Sequence, residues 1–429
     1  MKAFSQTLSS VVEAGREILA RRRLAAASDT GSTALTDLCR QLLDHRGEAS
    51  GMALAGEIIA AYKTMEATER PAFFESLLTE FDVDNEAIFA ATEHYRENPD
   101  FENLAAISRS VEAPRQKLFR RINMVAEGTS TLVIMRSHLL QAQKTNKQLR
   151  AVDSDLRHLF ISWFNKGFLE MQRISWDTPA SVLEKIIQYE AVHAINGWDD
   201  LRSRLRGDRS CFAFFHPAMP EDPLVFVEVA FTDELPSAIA PLLEQDRQPI
   251  GPNDADTVVF YSISNCHPGL AGVSFGNFLI KQVVEEVRQQ HPNIKTFVTL
   301  SPVPGFRKWL EGTNAGDLIE PALLERVKKP VNTVVPAEVR DALMRLCAHY
   351  LLNEKAGNLS RDPVARFHLG NGARLHRLHW AADLTPKGKQ QSAGIMVNYL
   401  YDLSKIEINH EAYFDQGEIA VSKTVSKLL

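Results

Sequence analysis

The chain has 429 residues, 45% hydrophobic and 24% charged, which is too long for one ordinary core and typical of a folded globular protein rather than a disordered one. Its formal net charge of -6 gives no support to a nucleic-acid partner, and no apolar run approaches the roughly 20 residues a bilayer demands. Four scattered cysteines without a C-x-x-C pair fit a reducing compartment better than a disulfide framework or a zinc knuckle.

Met1 to Ala27 carries Arg16, Arg21, Arg22 and Arg23, as a transit peptide does. Glu13 and Glu17 interrupt it, and Leu8, Val11, Val12, Ile18 and Leu19 make a core-facing stripe, so it reads as a first helix. Helical periodicity then runs to about residue 165. Leu35, Leu38, Cys39, Leu42 and Leu43 share a face, as do Phe73, Phe74, Leu77, Leu78 and Phe81 after Pro71, a favoured first-turn residue. Further faces are Leu118, Phe119, Ile122 and Val125, and Leu132, Met135, Leu139 and Leu140. This half is expected to be an all-helical bundle serving packing or oligomerisation, spanning 1–165.

Composition shifts near Asn165-Lys166-Gly167, and a second domain is expected over 166–429. Asp177 or Thr178 is placed to cap a helix beginning at Pro179. Cys211 to Phe215 and Leu224 to Phe231 read as an antiparallel pair across a proline-rich turn. The stretch from Thr257 to Gly305 organises the rest. Thr257 to Ile263 is a β-branched and aromatic run, Ile280, Val283, Val284 and Val287 form a helical stripe, and Thr296 to Leu300 is the next strand. That is a βαβ unit in a mixed sheet. Helix returns over about 321–353, followed by strands over 373–381 and 395–403 and a helical tail.

The turn of the βαβ unit holds Gly269, Gly272 and Gly276. A glycine-rich helix entry admits a close ligand backbone contact and offers free N–H groups at the positive end of the dipole, which suits a pyrophosphate. The alternative is a tight loop that needs glycine for its own shape. The spacing G-x-x-G-x-x-x-G matches neither the dinucleotide fingerprint nor a P-loop.

Ser301 ends a central strand just before Pro302-Val303-Pro304-Gly305, where ligands of open α/β sheets collect, although Ser-Pro is more often a turn starter. Gly272-Val273-Ser274-Phe275-Gly276 spells a literal G-x-S-x-G, but Pro268 lies between it and the preceding strand, which argues against a nucleophile elbow. His368, flanked by Phe367 and Leu369, is either a packed structural histidine or a proton-transfer group near a cleft. His376 and His379, three apart in a strand, point to opposite faces and with His368 make no metal-ligand spacing. Cys266 and His267, adjacent beside the turn, read as structural.

Longer motifs make a resemblance. GLAGVSFGNFLIKQVV from Gly269, TLSPVPGFRKWL from Thr299, DPVARFHLGNGA from Asp362, GIMVNYLY from Gly394 and the passage from Trp176 to Ile195 together resemble the malonyl-CoA decarboxylase family over essentially the whole chain. The resemblance implies an α+β two-domain protein, an N-terminal helical bundle followed by a GNAT acetyltransferase-like mixed α/β domain. It implies acyl-CoA binding at Ala271, Gly272, Val273, Ser274, Phe275, Gly276 and Asn277, a catalytic serine at Ser301 and a catalytic histidine at His368, with Asn398 and Tyr399 shaping the pocket. The implied reaction turns malonyl-CoA into acetyl-CoA and CO2 in malonate and fatty-acid metabolism. It needs no cofactor and no metal, coenzyme A being part of the substrate. The expected partners are malonyl-CoA and acetyl-CoA, with no nucleic acid and no membrane, in a homotetramer built from dimers. Some animal members end in Ser-Lys-Leu; here Ser426-Lys427-Leu428 is followed by Leu429, and with no leader before the helical half a cytoplasmic location is expected. An acyl-CoA transferase and a non-catalytic CoA sensor are the minor alternatives. The first would need an amine acceptor before acetyl-CoA forms, and the second would bind malonyl-CoA without releasing CO2.

Overall fold

A computed structural model describes residues 11–16, 31–273, 279–312, 318–329 and 335–429. The chain divides into two compact units. The first comprises Met1–Leu169, His216–Pro220 and His267–Ser274, the second Glu170–Phe215, Glu221–Cys266 and Phe275–Leu429.

The first unit is helical: α1 (Ser32–Asp44), α2 (Glu48–Thr64), α3 (Arg70–Thr79), α4 (Asn85–Glu97), α5 (Phe101–Ser110), α6 (Pro114–Asn123), α7 (Gly128–Ala142) and α8 (Arg150–Trp163). The predicted stripes are the buried ones: Leu35, Cys39, Leu42, Phe73, Phe74, Leu77, Leu118, Phe119, Ile122, Leu132, Met135 and Leu139 are all buried. Asp84 and Asp100 cap α4 and α5 by accepting first-turn N–H groups. Of the expected first helix, residues 11–16 are helical, while Leu8, Ile18 and Leu19 lie outside the described residues.

Two buried arginines tie this unit together. Arg115 Nε donates to Asp155 at 2.6 Å and its Nη1 reaches Asp82 at 2.9 Å. Arg136 Nε donates to Asp153 at 2.7 Å, and its Nη1 donates to the carbonyls of Gly269 and Ala271 at 2.7 and 2.9 Å. The glycine turn therefore belongs to the helical unit, and Arg157 Nε adds a bond to Gly272 O at 3.0 Å. A Cβ on Gly269 would stand 1.9 Å from Val133 O on α7. That glycine is required by helix–loop contact, a reason distinct from both the ligand approach and the loop's own shape weighed from the sequence. Gly272 has φ +72°, a left-handed conformation glycine tolerates. Ser274, Phe275, Gly276 and Asn277 fall outside the described residues.

Among the described residues of the second unit, eight strands form one sheet. They are β1 (Glu170–Ile174), β2 (Arg209–Phe215), β3 (Val225–Thr232), β4 (Thr257–Asn265), β5 (Thr296–Thr299) and β6 (Ser301–Pro302), then, beyond a small β7/β8 ribbon (Lys355–Ala356, Leu359–Ser360), β9 (Arg374–His379) and β10 (Met396–Leu400). The sheet order is β1-β2-β3-β4-β5-β10-β6, with β9 on β10. β2/β3 are antiparallel, as their sequences indicate, and β4/β5 parallel, Thr257 lying opposite Thr296. Antiparallel pairing from β1 to β4, parallel pairing of β4 with β5 and a returning β9–β10 hairpin make one mixed sheet, as expected. The helix between β4 and β5, α11, is described over Leu279–Gln290 and buries Ile280, Val283, Val284 and Val287.

Before it come α9 (Ala180–Tyr189) and α10 (Trp198–Arg204); after it, α12 (Ala337–Asn353), α13 (Pro363–Gly370) and α14 (Ile406–Gln416). α9 starts one residue later than expected and has no side-chain cap; Thr178 Oγ1 instead accepts from Ser175 N at 3.0 Å. No helix among the described residues is long and apolar enough to cross a membrane.

Candidate active site

Along β5 and β6 side chains alternate. Val298 and Leu300 enter a core cluster with Ala230, Val259, Tyr261 and Met396. With a period of two, Thr299 and Ser301 take the opposite face. From β10 into the residue that follows it, the same alternation pairs Tyr399 with Tyr401.

The β5–β10 ladder opens at this point. Val298 lies opposite Leu400 and Ser301 opposite Val397, an uninterrupted register, yet at the rung between them side chains take the Tyr399 N–H and the Thr299 carbonyl. Tyr399 N donates to Thr299 Oγ1 at 3.1 Å, and Asn398 Nδ2 donates to Thr299 O at 2.8 Å. On the other edge of β10 the register shifts between Asn398 and Tyr399, a β-bulge against β9. Bulges re-aim side chains and recur beside active sites.

His368 sits in the last turn of α13. Asp362 caps that helix, its Oδ1 accepting from Val364 N and Ala365 N at 3.0 Å each, while its Oδ2 accepts from Gly305 N at 3.3 Å. One carboxylate thus holds the histidine helix and the Pro-Gly corner after Ser301 in common register. Gly305 has no room for a side chain, since a Cβ would stand 2.2 Å from the Tyr350 hydroxyl.

These elements bring Ser301 Oγ and His368 Nε2 to 3.1 Å, across 67 residues of sequence. His368 Nδ1 lies 2.8 Å from the Tyr401 hydroxyl, and its ring stacks on Tyr399 with centroids 4.7 Å apart and planes at 25°. Ser301 Oγ donates to Thr299 Oγ1 at 2.9 Å. With the Ser301 proton directed at Thr299, the tautomer that completes the remaining bonds carries its hydrogen on Nε2, facing Ser301. A neutral imidazole then has Nδ1 free to accept from Tyr401. The chain of donors runs Tyr401 to His368 to Ser301 to Thr299. All four side chains are buried, His368 with 3% and Ser301 with 6% exposure.

Burial pushes the His368 imidazole down to about 3, so it is neutral in the free protein at any physiological pH. His193, also buried, is pushed down to about 4, chiefly by the same desolvation. Both take a proton near 6.5 once unfolded. Below that value the unfolded chain binds protons the native state refuses, so stability is full above about pH 6.5 and falls as pH drops toward 4. At pH 5.5 each histidine is expected to cost on the order of 1 kcal/mol. Urea midpoints at pH 7.5 and 5.5 will read the loss, and His368→Asn should lessen it; equal acid sensitivity in that variant would contradict the assignment.

The predicted residues are thus distributed as follows. Ser301 and His368 meet and Tyr399 stacks on the imidazole, while Asn398, one residue earlier on the opposite face, bonds Thr299 O and His379 instead. Ala271, Gly272 and Val273 lie in the turn bonded by Arg136 and Arg157. The three histidines do not converge as ligands: His368 serves Ser301, while His379 Nε2 lies 2.5 Å from Asn398 Oδ1. Cys266 is buried in an apolar cluster, which raises its thiol. Thr299 and Tyr401, which the sequence did not single out, and His379, considered only as a metal ligand, carry further bonds around the site.

Comparison with known proteins decides the family. The malonyl-CoA decarboxylase C-terminal domain family matches residues 167–429, and the corresponding N-terminal domain family matches 81–164. The chain belongs to the malonyl-CoA decarboxylase family. That makes it a member of a family of carbon–carbon lyases. It is 33% identical over 414 residues to the mitochondrial malonyl-CoA decarboxylase of Anser anser anser, covering 86% of this chain and 82% of that one. Against the Rattus norvegicus enzyme, also mitochondrial, identity is 35% over 350 residues, 74% of this chain and 71% of that. The crystal structure of malonyl-CoA decarboxylase from Rhodopseudomonas palustris superposes with a TM-score of 0.89 at 48% identity, covering 93% of this chain and all of that one. The Agrobacterium vitis structure gives 0.85 at 49%, covering 92% and 99%.

Proposed function

We propose that this family member decarboxylates malonyl-CoA to acetyl-CoA, with Ser301 and His368 as its catalytic residues. The observation that carries the reading is the 3.1 Å contact of Ser301 with a buried, neutral His368 at an opened strand ladder.

Loss of CO2 breaks the bond between C2 and the carboxylate and moves its electrons into the thioester carbonyl. The transition state resembles an enolate, and catalysis consists of hydrogen bonds that strengthen on that oxygen. The thioester accepts the charge itself, so the reaction runs without a metal or an organic electron sink. Ser301 hydrogen-bonds the malonyl carboxylate and holds it out of the carbonyl plane, a positioning role. Arrival of that carboxylate favours protonation of His368, since an opposite charge nearby stabilises imidazolium. His368 then stabilises the enolate oxygen and delivers its proton to C2, so one proton is consumed per turnover. Tyr399 and Asn398 shape the acyl pocket. The turn Ala271, Gly272, Val273, Ser274, Phe275, Gly276 and Asn277 receives the pyrophosphate, whose binding energy positions the distant malonyl group.

The protein acts in malonate and fatty-acid metabolism in the cytoplasm as a tetramer of paired dimers. Self-association is supported by the α4–α5 hairpin, which leaves Phe89 and Phe101 67% and 78% exposed. The test is incubation of purified protein with malonyl-CoA and EDTA. Acetyl-CoA and CO2 in equal amounts without an amine acceptor is the expected result. Acetyl-CoA that forms only with an acceptor, or binding without CO2 release, would contradict it.

A further inference from the structure

We infer that Thr299 is a positioning residue that keeps the Ser301–His368 pair from working as a nucleophile and its base. The inference deepens the reading above and rests on its assignment of those two residues. In a serine hydrolase the serine donates to a histidine nitrogen that lacks a proton, and a third group fixes that tautomer. Here the polarity is reversed. Thr299 Oγ1 accepts from Ser301 Oγ at 2.9 Å, and His368 Nε2, 3.1 Å from the same serine oxygen, supplies the proton rather than the lone pair.

Thr299 can do this because of the ladder opening. Its hydroxyl oxygen is fully buried and also accepts from Tyr399 N at 3.1 Å, while its carbonyl is taken by Asn398 Nδ2 at 2.8 Å. Both backbone groups that would normally pair at this rung are satisfied by side chains, so the Thr299 hydroxyl is locked as an acceptor facing Ser301. The Tyr401 hydroxyl, 2.8 Å from His368 Nδ1 on the far side, can donate there and so is compatible with the same polarity. The malonyl carboxylate, a charged acceptor, outcompetes the neutral Thr299 hydroxyl for the serine proton. Ser301 thus donates to substrate without ever being deprotonated.

Thr299→Val removes the acceptor at equal volume, and Thr299→Ser keeps it. In T299V the Ser301 proton turns to His368 Nε2, the imidazole proton moves to Nδ1, and Tyr401 becomes its acceptor. The probe is a fluorophosphonate, which needs no malonyl-CoA. Serine Oγ bonds to phosphorus, fluoride leaves, and the serine proton passes to His368. Wild type and T299S should be phosphonylated at Ser301 at least about tenfold more slowly than T299V. With malonyl-CoA, T299V should lose about 10²-fold in kcat with KM within about threefold, and T299S should recover most of it. Rapid phosphonylation of wild-type Ser301 would overturn the proposal, and decides the matter even if T299V fails to fold. A folded T299V that labels no faster than wild type would overturn it equally. Loss of the decarboxylase reading alone would leave the labelling contrast standing.

Discussion

Replacing His368 with Asn is expected to lower kcat on malonyl-CoA by about 10²- to 10⁴-fold, and Ser301→Ala to fall in the same range. The two losses should not add, because both side chains act through one hydrogen-bond chain in one step. KM should move little, since the bulk of the binding energy comes from the nucleotide end of the thioester. Neither variant should unfold. His368 is held by a capped helix and by stacking on Tyr399 rather than by its bond to Ser301. Steady-state rates with circular dichroism as the fold control check this. Near-normal turnover in both variants would remove the catalytic assignment.

Arg136→Met is expected to destabilise the helical unit by about 3–5 kcal/mol. The guanidinium is 2% exposed, and its loss leaves Asp153 unpaired together with the carbonyls of Gly269 and Ala271. Lysine keeps the charge but cannot serve a carboxylate and two carbonyls at once, so Arg136→Lys should recover only part of the loss. Because the same arginine shapes the turn assigned to the pyrophosphate, KM for malonyl-CoA should rise in the lysine variant while kcat holds. Urea denaturation and a KM-against-kcat comparison read the two effects separately. Unchanged stability in the methionine variant would show that the buried bonds contribute nothing net.

Much of the fold was legible because burial follows period. The helical stripes of residues 32–163 and the β-branched runs at Thr257 and Thr296 each state which face is covered. Strand β1 was not legible: Glu170-Met171-Gln172-Arg173-Ile174 is an edge strand with mostly solvated side chains, so only Ile174 marks an inner face. Ser301 and His368 were found through long motifs. No spacing rule joins residues 67 positions apart. Thr299 and Tyr401 stood inside those motifs yet carried no signal, since a threonine or tyrosine in a strand is ordinarily there for its propensity. Their roles come from the opened ladder, a long-range pairing property. His379, considered only as a metal ligand, proves to hold Asn398. Gly269 was read for ligand approach, and its physical requirement is the carbonyl of Val133.

At the centre of this account is a neutral imidazole that presents Nε2–H to Ser301 and lets the thioester, not the serine, carry the reaction. The measurement that tests it most directly is the 15N spectrum of histidine-labelled protein, with the His368 signals assigned by their loss in His368→Asn. The account predicts a protonated Nε2 and an unprotonated Nδ1, unchanged from pH 8 to pH 5. An imidazole protonated on Nδ1 instead, or one that titrates near 6.5, would contradict it.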